Sequence, residues 1–229
     1  FEGNWETTFA VRTPEAYKSL GLLVQINQEL TGTFLTETGD YRFLQGNATG
    51  DSLYLSAFDG SHAFMFKAKL DGDTLRGTFF SGNHYQNNWI AFRNNNFELT
   101  DADSLTKLKV GEELSFSFPG LDGKMVDYPS MKYSEKVVII QILGSWCPNC
   151  MDETKFLSDL HKSYKNQGLE IIGVSFENPP TLEGKIERVQ GLKDYFEAEY
   201  DFCIGGTADK KTAEQAIPAL EKIMSFPTT

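Results

Sequence analysis

The hydrophobic pattern of the chain changes near residue 101, and this change restricts the possible folds more than any other feature. Up to residue 100, apolar and polar residues alternate with a period of two, which is typical of antiparallel strands that bury one face. Beyond residue 109, apolar runs alternate with patterns of helical spacing, which indicates a parallel sheet with right-handed crossovers. The 229 residues therefore predict two domains, 1–100 and 110–229, with a polar linker at 101–109.

The first half predicts about eight short strands, arranged as an up-and-down barrel or a sandwich. Trp5, Thr7, Phe9 and Val11 fall on one face of the first strand. Further strand-like runs lie near residues 22–30, 31–37, 41–48, 52–58, 62–70, 74–80 and 88–93. Gly, Asp and Asn separate these runs and supply the positive φ angles of tight hairpins. The motif Leu-x-Gly-Thr-Phe occurs twice, at 30–34 and 75–79, as expected of equivalent strands.

Six aromatic side chains of the first half are expected to form its core: Phe9, Phe34, Phe43, Phe64, Phe66 and Phe79. Small barrels can also hold one ligand, so a cavity for a small molecule is an alternative, and so is a surface that docks a partner. His62 and His84 each stand alone in strand or loop sequence, and neither is expected to bind a metal.

The second half predicts alternating strands and helices. They are a hairpin from 114–118 with a turn at 121–124, a buried strand at 137–143, a helix at 148–166, a strand at 169–176, a helix at 182–199, a strand at 201–204 and a helix from 209. The first helix is expected to bury Phe156, Leu157, Leu160 and Tyr164, and Pro218 is expected to kink or split the last one.

Two cysteines, Cys147 and Cys150, stand where the buried strand gives way to the first helix. The reactive form of cysteine is the thiolate, and a helix N-terminus stabilises negative charge. Pro148 suits the first helical position because the N–H that it lacks has no helical partner there. Cys150 lies one turn along the same face and can resolve a mixed disulfide. The pair therefore predicts a site of thiol–disulfide exchange.

Other uses of the cysteine pair fit the sequence less well. A structural zinc site takes four ligands, and the nearest histidine, His161, is eleven residues beyond Cys150. Covalent haem attachment needs histidine after the second cysteine, where Met151 stands. A permanent disulfide would close too short a loop to stabilise the fold much. We expect no metal and no cofactor, and we expect Cys203 to be an inert buried thiol.

The net charge of −11 argues against nucleic acid and anionic membranes as partners. No apolar stretch is long enough to span a bilayer. The chain begins at Phe1 rather than Met, which leaves room for a removed leader or a lipid anchor. Its oligomeric state is not set by the sequence.

Residues 109–229 resemble the thioredoxin superfamily, specifically the TlpA/ResA-like extracytoplasmic thiol–disulfide oxidoreductases. The segments that carry the resemblance are Lys109-Val110-Gly111, Leu121-Asp122-Gly123-Lys124, Trp146-Cys147-Pro148-Asn149-Cys150, Glu153 and Phe226-Pro227-Thr228-Thr229. The N-terminal half resembles no family of known chemistry.

The resemblance implies a role for each matching residue. Cys147 is the attacking nucleophile and Cys150 the resolving thiol, while Trp146 packs beside them. Pro227 is the cis-proline that shapes the substrate groove, and the backbone of Phe226 pairs with bound peptide. Glu153 either transfers protons and tunes the thiols or complements the helix dipole as a first-turn carboxylate.

The resemblance also implies a biological setting. The substrates are expected to be protein disulfides, which the chain reduces, and a separate thiol donor recycles it. The expected location is the periplasm or cell envelope of a bacterium. A thiol peroxidase of the peroxiredoxin type is an alternative, although such enzymes carry Thr three residues before the cysteine and Gly144 stands here. A ligand-binding or partner-binding β-domain protein with a secondary redox module is another.

The chain departs from the family pattern at several positions. Gln141 replaces a buried acid found in thioredoxins, Lys155 replaces a proline in the helix, and Asn149 replaces a proline within the motif. The chain stops at Thr229, before the strand and helix that follow the cis-proline segment in the family. We therefore expect the natural protein to continue, or a partner to cover the edge of strand 137–143, because a bare edge promotes aggregation.

Overall fold

A computed structural model describes residues 1–229 of the protein. The chain divides into two compact units, Phe1–Asp101 and Ala102–Thr229. Each unit has its own strands and its own apolar core.

The first unit is a closed antiparallel barrel. Its strands are β1 (Gly3–Phe9), β2 (Tyr17–Ile26), β3 (Glu29–Thr36), β4 (Gly39–Asp40), β5 (Leu44–Thr49), β6 (Ser52–Phe58), β7 (Ala63–Asp71), β8 (Thr74–Ser81) and β9 (Tyr85–Arg93). Each of the eight longer strands pairs with its sequence neighbours, and β9 pairs with β1 to close the ring, while the two-residue β4 pairs with β3 alone. The predicted N-terminal barrel is confirmed.

Alternating side chains along these strands fill the barrel with an apolar core. Its buried members include Trp5, Phe9, Leu30, Phe34, Leu44, Leu53, Leu55, Phe66, Leu75, Phe79 and Trp89. Phe9 lies at the centre, with its ring centroid within 6.0 Å of six other aromatic rings. The interior is therefore occupied by side chains, as expected of a small barrel.

Three details of the first unit differ from the prediction. The hairpin predicted near residue 30 turns instead at Asn27, which adopts a left-handed φ of 56° that asparagine tolerates. Val11 lies beyond the end of β1. Phe43 is 87% exposed because Leu44, its neighbour, takes the inward position at the start of β5. The alternation rule holds within strands and does not extend into the connections.

The repeated Leu-x-Gly-Thr-Phe motif marks two places where barrel strands approach closely. In β3 and β8 the Leu and Phe of the motif point into the core, and the glycine between them faces the neighbouring strand. A Cβ at Gly32 would lie 2.0 Å from the carbonyl oxygen of Leu22, and one at Gly77 would lie 2.1 Å from that of Lys67. Only glycine fits at either position.

The second unit is an α/β fold. Its elements are β10 (Phe116–Pro119), β11 (Met125–Tyr128), β12 (Val137–Leu143), α1 (Pro148–Tyr164), β13 (Leu169–Glu177), α2 (Leu182–Tyr195), β14 (Asp201–Thr207) and α3 (Lys210–Ala216). Strands β12, β13 and β14 form a parallel sheet in that order, and β10 and β11 form a hairpin. None of the helices has the length and apolar composition needed to span a membrane.

Strand β13 lies at the centre of the parallel sheet and is buried along its length. Ile171 belongs to one apolar cluster and Ile172 to another, so the sheet has a core on each face. Residues 107–109, assigned above to the linker, pair with residues 219–221 of this unit through Lys109 N–H to Ala219 O and Glu221 N–H to Lys107 O, each 2.8 Å.

Several helix predictions in the second unit are wrong in detail. Phe156 is 63% exposed, and Tyr164 is also exposed, while α1 buries Thr154, Ser158 and His161 beside Leu157. The buried face of α1 therefore includes polar side chains, and a prediction from the spacing of apolar residues does not place them there. Helix α2 ends at Tyr195, and Glu197 beyond it takes a left-handed φ of 49°. Helix α3 ends at Ala216, so Pro218 follows the helix and does not kink or split it as predicted, because residues preceding proline disfavour helical backbone.

Candidate active site

The cysteine pair lies at the junction between β12 and α1. Cys147 is the N-cap residue of α1, and its sulfur accepts a hydrogen bond from the backbone N–H of Cys150 at 3.4 Å. Pro148 occupies the first helical turn, where no backbone donor is required. No disulfide joins the two sulfurs. The sequence places Cys147 here because β12 ends at Leu143 and the proline starts the helix.

The segment around Pro227 is brought against this junction by backbone pairing with β12. The N–H and carbonyl groups of Ile142 and Thr228 exchange hydrogen bonds of 2.8 and 3.1 Å. The peptide bond between Phe226 and Pro227 is cis. The thiol of Cys147 donates to the carbonyl oxygen of Phe226 at 3.4 Å. The structure therefore brings together the cysteine motif and the segment that lies 79 residues further along the chain.

Trp146 covers the side of the site. Its indole N–H donates to the carbonyl oxygen of Phe176 at 2.9 Å, and its ring meets that of Phe226 edge to face at 5.6 Å. The ring is partly exposed, so it forms part of the surface around Cys147.

Glu153 is held by two side chains that fix its carboxylate. The side-chain amide of Gln141 donates to Oε2 at 2.8 Å, and the hydroxyl of Thr229 donates to Oε1 at 2.8 Å. Gln141 is fully buried and also bonds to Thr154. Glu153 lies beyond the first turn of α1, so the role as a first-turn dipole partner does not hold.

The environments of the cysteines differ sharply. Burial raises the pKa of the Cys150 thiol, and the hydrogen bond and charge of Cys147 and the charge of Glu153 raise it further. Burial, and next to it the charge of Asp201, raises the pKa of Cys203, which is fully enclosed in β14. Cys147 alone sits at a helix N-terminus with its sulfur bonded by a backbone N–H, the environment that favours a thiolate.

One buried carboxylate beside the site was not identified from the sequence. Glu177, the last residue of β13, is 1% exposed. Its Oε1 accepts from the backbone N–H of Ser145 at 2.7 Å and from the hydroxyl of Ser175 at 2.6 Å, and its Oε2 accepts from the Ser145 hydroxyl at 2.7 Å. The signal for it was an acid at the carboxyl end of a buried parallel strand, where α/β sheets place their sites.

The arrangement of the dithiol is compatible with sulfur exchange. No group of three or more His, Cys, Asp and Glu side chains is placed to hold a metal ion. The two cysteines are one helical turn apart. Cys147 is the N-cap of α1, and Cys150 is fully buried within the first turn of the helix. A foreign disulfide that reaches Cys147 could be attacked and then released by Cys150.

One family of known proteins matches most of the second unit. Residues 110–212 match the AhpC/TSA family. Among curated proteins, the thiol-disulfide oxidoreductase ResA of Bacillus anthracis is 28% identical over 88 residues, which are 38% of this chain and 50% of that protein. The ResA of Oceanobacillus iheyensis is 31% identical over 107 residues, which are 45% and 49% of the two chains. The chain spans about half the length of the curated relatives that it matches.

Solved structures with similar regions include a putative protein disulfide isomerase from Bacteroides thetaiotaomicron, with a TM-score of 0.36, 26% identity and coverage of 45% of this chain and 62% of that one. A putative thiol:disulfide interchange protein DsbE from Chlorobium tepidum has a TM-score of 0.35, 20% identity and coverage of 43% and 64%. The resemblance of the second unit to thioredoxin-like oxidoreductases, inferred from its motifs, is confirmed by the family and curated matches.

Proposed function

We propose that the protein is a thiol–disulfide oxidoreductase that exchanges the dithiol of Cys147 and Cys150 with disulfides of other proteins. The observation that carries the proposal is the position of Cys147. Its sulfur caps α1, and it contacts the carbonyl oxygen of Phe226 at 3.4 Å in the segment that contains the cis-proline. The matches to proteins named thiol-disulfide oxidoreductase support the same chemistry.

The proposed reaction has two exchange steps. The thiolate of Cys147 attacks one sulfur of the substrate disulfide, the substrate S–S bond breaks, and the departing sulfur takes up a proton. Cys150 then loses its proton and attacks the sulfur of Cys147, which releases the second substrate thiol and leaves a bond between Cys147 and Cys150. Two electrons pass to the substrate, and the enzyme is left oxidised.

Glu153 is the proposed acceptor of the proton that Cys150 must lose. Its negative charge is among the causes that raise the pKa of Cys150, so the two groups interact electrostatically. Gln141 and Thr229 hold its carboxylate in place with bonds of 2.8 Å. Gln141 stands where thioredoxins have a buried acid, and it holds Glu153, which we propose takes over the role of that acid.

We propose that the exchange runs as reduction of the substrate disulfide, which is what the resemblance to the TlpA/ResA-like oxidoreductases implies. A separate thiol donor would then restore the dithiol. The bacterial periplasm or cell envelope is the proposed location, as the family resemblance implies.

Trapping of a covalent intermediate tests the exchange. Cys150→Ser removes the resolving thiol, so mixed disulfides between Cys147 and substrate proteins should accumulate and disappear on addition of reductant. The matched control, Cys147→Ser, should trap nothing. Samples that are first reduced and then have their thiols blocked serve as a further control. If Cys150→Ser forms no adduct beyond that control, the proposed function is wrong.

A peroxide assay separates the proposal from the peroxidase alternative. The wild-type protein with dithiothreitol should accelerate the reduction of insulin disulfides, and it should consume hydrogen peroxide no faster than Cys147→Ser does. Rapid peroxide turnover with no insulin reduction would favour a peroxidase instead.

A further inference from the structure

Thr154 is fully buried on the face of α1 that carries Cys150. It lies four residues beyond Cys150, which is one helical turn along the same face. Threonine is a weaker helix former than alanine or leucine, and a buried hydroxyl needs a hydrogen-bond partner. Packing alone would favour an apolar residue here, so the bonds made by the hydroxyl set this position apart.

The partner of this hydroxyl is the side-chain amide of Gln141, which is fully buried in β12. Thr154 Oγ1 donates to Gln141 Oε1 at 3.3 Å and lies 3.2 Å from Gln141 Nε2. The same Nε2 donates to Glu153 Oε2 at 2.8 Å. Thr154 thus supplies the hydrogen bond that Oε1 accepts, while the other end of the amide holds Glu153.

The chemistry of these groups fixes the orientation of the amide. An ionised carboxylate can only accept hydrogen bonds, so the NH2 end of Gln141 must face Glu153, and Oε1 then needs a separate donor. The Thr154 hydroxyl is that donor. Without it, Oε1 would be buried and unpaired, a cost that favours rotation of the side chain away from Glu153. The hydroxyl thus controls an interaction of Glu153 that it does not itself make.

We propose that Thr154 is a positioning residue for the second exchange step, because it orients Gln141 so that the amide N–H holds the carboxylate of Glu153. This inference rests on the proposed exchange reaction and on the proposed role of Glu153. In that step the proton of Cys150 passes to Glu153, the sulfur of Cys150 bonds to that of Cys147, and the electron pair of the broken bond leaves with the substrate sulfur. Thr154 and Gln141 neither give up nor take up a proton.

Thr154→Val, which keeps the shape of the side chain and removes the hydroxyl, is the test variant. Thr154→Ser, which keeps the hydroxyl, is the matched control. Each reduced protein is mixed with excess 5,5′-dithiobis(2-nitrobenzoate) in a stopped-flow spectrophotometer. Attack by Cys147 releases one coloured thiolate at a rate that rises with reagent concentration. Attack by Cys150 releases the second at a rate that does not, so the two steps are measured separately.

The second phase should depend on pH in the wild type, because Glu153 must be ionised to accept the proton. A hydrogen bond donated to a carboxylate favours its ionised form, so loss of the Gln141 bond should move the half-maximal pH of this phase upward by about one unit. Below that pH, Thr154→Val should be about tenfold slower in the second phase than the wild type. Its first phase should be unchanged, and Thr154→Ser should match the wild type in both phases.

A purely structural role for Thr154 predicts a different result. Loss of packing would lower the stability of the fold and leave the pH of half-maximal rate where it is in the wild type. A pH profile of Thr154→Val that coincides with that of the wild type would overturn the proposal. So would a profile of Thr154→Ser that shifts as far as that of Thr154→Val.

Glu153→Gln separates failure of this inference from failure of the proposed function. It should slow the second phase and abolish the half-maximal point seen in the wild type. Release of only one thiolate per wild-type protein would overturn the exchange between Cys147 and Cys150 itself. A second phase in Glu153→Gln that matches the wild type would overturn the role of Glu153 and this inference with it. A changed Glu153→Gln and an unchanged Thr154→Val would overturn the role of Thr154 alone.

A second pair of variants covers the case in which Thr154→Val does not fold because the amide of Gln141 is left unpaired. Replacement of both partners by apolar residues of similar size costs far less stability than removal of one. Gln141→Met, and the double variant that adds Thr154→Val to it, should therefore show the same raised half-maximal pH. A further change in the double variant would mean that Thr154 acts by a route other than Gln141. That result, or an unshifted pH in both proteins, would count against the proposal.

Discussion

Glu177 shows how one buried side chain can hold the position of a nucleophile that it does not touch. Its carboxylate binds the backbone and hydroxyl of Ser145, two residues before Cys147, and no cation lies among its bonded partners. The indole N–H of Trp146 donates to the carbonyl oxygen of Phe176, the residue that precedes Glu177 in β13. Ser145 and Trp146, the two residues that precede the nucleophile, are thus both hydrogen-bonded to the carboxyl end of β13.

Substitution of Glu177 separates its bonds from its charge. Glu177→Ala leaves the buried N–H of Ser145 without an acceptor, so the free energy of unfolding should fall by about 2–4 kcal/mol. Glu177→Gln keeps the size of the side chain and one oxygen acceptor, so the loss of stability should be smaller.

Removal of a negative charge near Cys147 should also raise the reduction potential of the dithiol, by about 30 mV for a tenfold change in the equilibrium between dithiol and disulfide. Urea titration and equilibration with glutathione measure the two effects; equal potentials in wild type and Glu177→Gln would show that the charge has no influence.

The raised pKa of Cys150 makes the reduced protein sensitive to alkaline pH. A group whose pKa is higher in the folded state stabilises the fold below its unfolded pKa, and this contribution is lost as the pH rises above that value. The unfolded thiol has a pKa near 9.0, so the loss begins there. Above it, Cys150 should remove about 1.4 kcal/mol of stability per pH unit.

Cys150→Ala isolates this contribution from those of the tyrosines and Cys203, whose pKa values are also raised. Between pH 9 and 10, with a phosphine reductant present, the unfolding free energy of the wild type should fall by about 1 kcal/mol more than that of the variant. Parallel curves for the two proteins would show that Cys150 titrates normally in the fold.

At the scale of elements, glycine has opposite roles in the barrel and in α2. Gly77 of β8 stands where a Cβ would lie 2.1 Å from the backbone oxygen of Lys67 and 2.7 Å from the indole of Trp89. Neither the strand backbone nor a buried indole can move away easily, since barrel pairing continues on both sides. Gly191 of α2 faces open space.

The same substitution at these two glycines should therefore change stability in opposite directions. Gly77→Ala should lower the unfolding free energy by about 2–4 kcal/mol through overpacking and loss of strand pairing. Gly191→Ala should raise it by up to about 1 kcal/mol, because alanine favours helix. Thermal and urea unfolding of both variants measure the difference. A stable Gly77→Ala protein would mean that the strands of the barrel can separate locally without loss of the fold.

Most elements could be predicted because their apolar residues repeat at the period of a strand or a helix. The barrel strands follow this rule, and so does the strand before Cys147, although that strand is buried only from Gln141 to Leu143 and not along its whole length as predicted. The rule fails where polar residues are buried, as at Thr154 and His161 of α1, and where a turn relies on Asn27 rather than glycine. The bonds of Glu177 and the opening beside Gly191 depend on distances between separate elements, and one sequence does not encode them locally.

At the scale of the whole molecule, each unit has what a fold needs to be stable alone. The barrel closes its own ring of hydrogen bonds, so it has no unpaired long edge, and its core holds two tryptophans and three fully buried phenylalanines. The second unit has a three-stranded parallel sheet with an apolar cluster on each face. A domain of about 100 residues buries enough surface to fold independently.

We therefore expect residues 1–101, produced alone, to fold and to unfold in one cooperative transition. Trp5 and Trp89 are buried in the barrel, and the remaining tryptophan, Trp146, lies outside the fragment. The fluorescence of the fragment should therefore be blue-shifted and should move to longer wavelength on addition of urea, together with the loss of near-ultraviolet circular dichroism. The Gly77→Ala fragment serves as the control and should unfold at lower urea. Fluorescence of the unaltered fragment that already matches the unfolded state in buffer would show that the barrel depends on the rest of the chain, and the two compact units would then be one cooperative folding unit.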